Sequence, residues 1–274
     1  MLKLFAFSAI LIFLPLCHNN AQLSTPEFKV ISYYTGKDDP AHVSFVHEAN
    51  RWFDHISKKY NFRYDSTSNW DNLNADFLKN YQLAIFLDTR PPLPEQRKAF
   101  EDYMKQGGAW MGFHFAAFEL RNSAYPNDWD WYHEQFLGSG EFKGNTWRPT
   151  SAILRCEDNK HPVMADIPET FTASPNEWYS WENDLRQNPY IKILVSIDPL
   201  SFPLGTGPKL CEIWHQGYYP VVWTNTRYRM VYINMGHNDM DYEHGTNNEL
   251  SFTFGNAVQD QLVINAIQWL LGNK

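Results

Sequence analysis

The sequence predicts an α/β fold, a three-layer sandwich around a mostly parallel central sheet, and three observations predict it. A buried strand pattern, Phe28 to Tyr34, is followed by an amphipathic helix pattern over His42 to Tyr60. A second strand pattern, Tyr81 to Leu87, leads into a helix over Glu95 to Lys105. That helix closes on Gly107-Gly108 and gives way to a third strand, Ala109 to Phe113. Strands alternating with helices make βαβ units, and their right-handed crossovers lay the strands parallel with helices on the faces.

Each element has its own signal. Phe28 to Tyr34 is rich in β-branched and aromatic residues. The first helix repeats Phe45, Ala49, Trp52, Phe53, Ile56 and Tyr60 at three- and four-residue spacings. Phe62 to Asp65 reads as a short strand, and Pro91-Pro92-Leu93-Pro94 as the turn before the second helix. The Gly pair suits a helix C-terminus. Asp130 to Leu137 reads as a short aromatic helix. Ser151 to Cys156, Ile191 to Ile197, Leu210 to Trp214, Val221 to Thr224 and Met230 to Asn234 read as strands. A last helix, Asn256 to Leu271, carries Leu262, Val263, Ala266, Ile267 and Leu270 on one face. Neither a repeat nor a linker-like shift in composition interrupts this order, so 22–274 is expected to be one domain.

The N-terminus reads as a secretory signal. Lys3 precedes an apolar run from Leu4 to Leu16, too short to span a bilayer comfortably, and small Ala21 suits cleavage before Gln22. Residues 1–21 are therefore the expected signal peptide, and the mature chain an exported periplasmic or extracellular protein with no integral membrane segment. Cys17 offers a lipoprotein alternative. Net charge is −8, becoming −9 without Lys3, which argues against a nucleic-acid partner. Cys156 and Cys211 would remain, as a disulfide or as two buried thiols. The 11 Trp, 15 Tyr and 19 Phe fill a core first, and a surplus in loops also suits stacking on sugar rings.

Open parallel sheets bind ligands beyond the carboxyl ends of their strands. The first strand runs into a loop leading to His42 and Ser44, the third ends in His114, and Met230 to Asn234 runs on to Gly236-His237. His42, His114 and His237 are therefore expected to meet at one sheet edge.

The segment Gly107-Gly108-Ala109-Trp110-Met111-Gly112-Phe113-His114 resembles the strand and sharp turn of the class I glutamine amidotransferase-like (flavodoxin-like) fold, with His114 where those enzymes hold a cysteine nucleophile. Histidine there is similar to the ThuA-like (trehalose-utilisation) family. Further resemblances follow in order. They are His42-Val43-Ser44, Trp129-Asp130-Trp131-Tyr132, His161-Pro162-Val163, Asn176-Glu177-Trp178-Tyr179, Pro220-Val221-Val222-Trp223 and Gly236-His237. The sequence departs from the family at Asn176, which replaces an acid, at Phe118, where Asp is frequent, and at Asn225 to Arg229, which replace a glycine-rich turn.

The resemblance implies a carbohydrate ligand and a role in disaccharide or keto-sugar catabolism. It does not carry over the amidotransferase reaction, because a glutaminase needs a thiolate at the elbow. His114, His237 and Glu177 are the expected catalytic set, able to move protons near neutral pH. His42 and Ser44 are expected to bind substrate hydroxyls, and Trp131, Trp178 and Tyr179 to present an apolar face to a sugar ring. A metal, and with it metal-assisted hydrolysis, stays open at this stage, since no His-x-x-x-His spacing falls on a helix at the site. A hydrolase or isomerase-like enzyme and a non-catalytic carbohydrate-binding module of the cell envelope are the two functional readings.

Overall fold

The computed structural model describes residues 28–146, 149–201, 217–241, 245 and 249–272. The expected signal peptide, the strand over 210–214 and Cys211 lie outside them. The first half follows the expected alternation: β1 (Phe28–Tyr33), α1 (Pro40–Lys59), β2 (Phe62–Thr67), the single turn α2 (Ala75–Leu78), β3 (Leu83–Phe86), α3 (Pro94–Lys105) and β4 (Ala109–Phe113). The second half is strand-rich: β5 (Phe142–Asn145), β6 (Ile153–Cys156), β7 (Thr170–Thr172), β8 (Tyr179–Trp181), β9 (Ile191–Ile197), β10 (Tyr219–Asn225) and β11 (Tyr228–Ile233), closed by α4 (Ala257–Leu271).

Nine strands form one sheet in the order β2-β1-β3-β4-β11-β10-β9-β6-β7. The first five are mutually parallel, and the remaining pairs are antiparallel. The parallel part has the flavodoxin-like order, in which the chain reverses direction of travel across the sheet between β1 and β3. This is a three-layer α/β architecture with helices on both faces of a large, mostly parallel sheet. Strands β5 and β8 form a separate antiparallel pair.

The two faces of the sheet explain the two apolar clusters. Helices α1 and α4 cover one face through Phe45, Phe53, Leu262 and Ile267, with Val30, Ile85 and Val231 beneath them. Helix α3 and the aromatic turn Trp131–Phe136 cover the other, where Phe100, Tyr132 and Phe136 surround Trp110. That turn is π-helical. Helix boundaries follow local chemistry. Asp39 caps α1 by accepting from Ala41 N at 2.8 Å, ahead of Pro40, and Asn256 caps α4. Among the described residues no helix is long and apolar enough to cross a membrane.

Beneath the π-helical turn sits a buried pair that no sequence pattern announced. His133 is fully buried, and its Nε2 lies 3.5 Å from Oε2 of Glu119, itself 3% exposed. Burial pushes the Glu119 carboxyl up to about 7; Arg90 opposes this, and Glu134, Glu141 and Asp130 add to it. The folded state therefore keeps a proton that the unfolded chain releases near pH 4 to 5, so stability falls as pH rises from there to about 7. Glu119→Gln is expected to gain up to about 3 kcal/mol over the wild type at pH 8 and little at pH 4. Urea unfolding of both proteins at the two pH values measures this, and an equal difference at both would refute it.

Candidate active site

Three of the expected residues are brought together by the carboxyl ends of the parallel strands. His42 sits in the first turn of α1, held there by the Asp39 cap. The loop before it is tied to the end of β3 by Asp88, which accepts from Thr35 N at 2.7 Å and Gly36 N at 2.6 Å. His114 follows β4 directly, with φ +37°. Left-handed backbone at a non-glycine residue is uncommon, and it turns the imidazole out of the sheet. The Tyr232 hydroxyl donates to His114 O at 2.7 Å and secures this turn. His237 follows β11 after Gly236, whose φ is +137°. A Cβ on Gly236 would lie 3.1 Å from the Phe45 ring and 3.3 Å from His114 Cβ, so the close approach of the two turns requires glycine.

Glu177 reaches the same point from the loop before β8. Its backbone N donates to His237 O at 2.8 Å, and Asn176 Oδ1 accepts from Gly236 N at 3.0 Å. The amide at position 176 thus stitches the two loops together. The Glu177 Oε2 atom lies 3.4 Å from His114 Nε2 and 3.3 Å from His237 Nδ1. Asn145, on β5, donates to the other carboxylate oxygen. His237 Nδ1 is also 3.1 Å from His42 Nε2. The ring of Tyr179 packs on His114 at 3.9 Å between centroids. Asn234 holds Tyr179 through both backbone groups, donating to its O at 2.9 Å and accepting from its N at 3.4 Å.

Burial sets the proton chemistry. It holds His42 and His114 well below the usual imidazole range, and the neighbouring histidines push the same way. Both rings are therefore neutral near pH 7 and offer lone pairs. Burial raises the Glu177 carboxyl; His237 opposes this and Asp39 reinforces it, while hydrogen bonds from Asn145 and Tyr179 favour the ionised form. The arrangement is one raised carboxylate between two imidazoles, a set suited to taking and returning a proton.

The remaining expected residues fall elsewhere. Ser44 faces the 249–251 segment, where its Oγ accepts from Leu250 N at 2.9 Å and Ser251 N at 3.0 Å. It ties a loop to α1. Trp178 is fully buried, and its indole donates to Thr150 O at 2.8 Å. Trp131 stacks on Phe136 and bonds Tyr228, at the end of β11 opposite to His237. Of the aromatic residues expected at the site, only Tyr179 reaches it.

The apolar wall is made instead by residues the sequence reading missed. The half-buried ring of Phe115 lies 5.0 Å from His42 and stacks on Phe118 at 4.5 Å, with Tyr125 against its edge. Phe115 directly follows His114, Phe118 is the departure from the family's frequent Asp, and Tyr125 carried no signal. A cleft of ≈ 190 Å³ is lined by Asp39, Ala41, Asp239 and Asp241, among others, and the Asp39 carboxylate interacts electrostatically with His42 and His237. His161, the first residue of the His161-Pro162-Val163 resemblance, accepts from Val163 N and packs on Trp269, and is not among the residues gathered with the trio.

The family profile described as trehalose utilisation, ThuA, matches residues 30–269. A protein described as ThuA-like from Bacteroides uniformis ATCC 8492 is 34% identical over 90% of this chain and 92% of its own, with a TM-score of 0.78. Another described in the same words, from Parabacteroides merdae ATCC 43184, shares the fold at 17% identity, with 89% and 90% covered and a TM-score of 0.61. No curated protein matches the chain. With a match that spans the elbow, the Glu177 loop and the Gly236-His237 turn, the chain belongs to the ThuA, or trehalose-utilisation, family.

Proposed function

We propose that this protein is an exported enzyme acting on a carbohydrate in disaccharide or keto-sugar catabolism, as a hydrolase or an isomerase-like catalyst. The observation that carries the reading is the single Glu177 oxygen held 3.3 and 3.4 Å from ring nitrogens of His237 and His114. Glu177 serves as general base, and His114, His237 and His42 set a ring of nitrogens around the point where it acts. Carboxylates of Asp39 and Asp239 bind sugar hydroxyls, and Phe115 and Phe118 meet the apolar face of the ring. Thiol chemistry of the amidotransferase kind has no nucleophile at the elbow, where His114 stands.

The test is to incubate the purified protein with a panel of disaccharides and their keto derivatives. Turnover by the wild type and not by His114→Ala is the expected result. Binding without turnover of any sugar would favour the non-catalytic module, and neither would overturn the carbohydrate reading. Export through residues 1–21 is tested by N-terminal sequencing of the mature protein, which should begin at Gln22.

A further inference from the structure

Three imidazoles whose ring nitrogens face one another are costly to bury. His114 is 1% exposed and neither of its ring nitrogens makes a hydrogen bond. The nearby Asn234 amide is committed to the Tyr179 backbone. A buried nitrogen without a partner costs roughly 1–3 kcal/mol, so such atoms call for an explanation. One ligand atom from each of His42, His114 and His237 can be chosen so that all three lie within 4.8 Å of one another, and His42 Nε2 and His237 Nδ1 are 3.1 Å apart. Bonds of about 2.0–2.1 Å in tetrahedral array place ligand atoms about 3.3 Å apart. The His42–His237 separation is near that value, and a ring nitrogen of His114 lies within 4.8 Å of both.

We propose that His42, His114 and His237 bind one divalent transition-metal ion of the zinc class, with Glu177 beside it as a proton acceptor and not as a ligand. The inference rests on the carbohydrate reading only for the use of the metal, not for its binding. Three imidazole nitrogens select borderline ions such as Zn²⁺ or Co²⁺ over Mg²⁺ or Ca²⁺, which prefer oxygen. A three-histidine set leaves a coordination position open, as catalytic zinc sites do. The ionised Asp39 lies close enough to His42 and His237 to interact electrostatically with both, and its carboxylate offsets the charge of a dication. Glu177 forms no part of the three-histidine group but lies within 3.4 Å of two of its nitrogens, where it faces whatever occupies the open position.

The full chain, stripped with chelator and dialysed, is titrated with Co²⁺ and then Zn²⁺, with calorimetry and the visible Co²⁺ spectrum as readouts. One equivalent per chain is expected, with the intense absorption of a four- or five-coordinate Co²⁺ site that Zn²⁺ abolishes. His42→Ala and His237→Ala should each weaken binding more than about 10²-fold, beyond what loss of an outer partner costs. His114→Asn tests the third ligand with a residue that tolerates left-handed backbone. Exposed His55 is the control, and His55→Ala should bind as the wild type does. Glu177→Gln should keep the full equivalent. Sub-stoichiometric uptake, uptake indifferent to the three histidines, or loss of uptake in Glu177→Gln would each overturn the assignment. Stoichiometric uptake with neither turnover nor binding of any sugar leaves the metal site standing and removes the carbohydrate reading. Turnover that survives complete chelation leaves the carbohydrate reading standing and removes the metal from its chemistry, while the uptake measurements still decide the site.

Discussion

Glu177→Gln is expected to lower turnover of the carbohydrate substrate by about 10²–10⁴-fold, the range that a positioned acid–base group supplies. The same change should leave the melting temperature unchanged or raise it. Burial disfavours the carboxylate, whereas a glutamine carbonyl can still accept the Asn145 hydrogen bond. Loss of activity and retention of stability together separate a chemical role from a structural one. The sign of the pH dependence follows from the raised carboxyl. A base must be ionised, so kcat/KM falls as pH drops through the Glu177 pKa; in the metal-free protein this acid limb lies above that of an ordinary carboxylate, and a cation held by the three histidines would lower it. Asn145→Ala removes a hydrogen bond that favours the ionised form, so the limb should move to higher pH with less effect on the plateau. An unchanged limb in Asn145→Ala, or a Gln variant of full activity, would refute this role.

The largest effect on stability is expected at Gly112→Ala, in the middle of β4. Residues 110 and 112 point to the same face of the sheet, and the Trp110 indole folds over Gly112. A Cβ there would fall 2.1 Å from two ring carbons. Trp110 cannot yield, since Phe86, Phe100, Tyr132 and Phe136 enclose it. Overpacking of a rigid core costs about 1–3 kcal/mol or more, which for a domain of this size lowers Tm by several degrees, at about 2–4 °C per kcal/mol. Trp110→Leu alone opens a cavity and should also destabilise. The double variant Trp110→Leu/Gly112→Ala should be less damaged than the two single costs combined. Additive losses in the thermal melts would show that the indole is not the obstacle.

Periodicity made the first half of the fold legible. From β1 to β4, fully buried strands and amphipathic helices have distinct sequence periods, and the structure trims or extends them by a few residues at most. The three strands that sequence reading missed, β5, β7 and β8, are three or four residues long, too short for a period to register. The π-helical turn was visible as an aromatic cluster, but not as the cover of a buried Glu119–His133 pair.

The same contrast holds at the site. His114 and His237 were legible because each stands just beyond a strand of the parallel sheet, and His42 because it opens the first helix. Glu177 was visible only through a family element, since its loop has no periodic neighbours. Trp131 and Trp178 were misplaced for a physical reason. Indoles are amphipathic, and sequence does not say whether an N–H meets a sugar or, as at Trp178, a backbone carbonyl. Ser44 illustrates the same ambiguity for a hydroxyl, and Asn145 sits on a strand too short to be noticed.

The position of β11 in the sheet bears on how the chain is made. Strand β4 ends at Phe113, and the strand that covers its open side begins only at Tyr228. During vectorial synthesis the unit β2-β1-β3-β4 can assemble early, while β4, buried throughout its length in the finished protein, shows an unpaired apolar edge. Such an edge is a template for wrong pairing until it is covered. The β10–β11 hairpin is the last of the strands to arrive and inserts as a closing wedge, carrying His237 with it. Completion of the sheet and assembly of the histidine trio are therefore one late, long-range event, so refolding followed by strand content should run ahead of refolding followed by function.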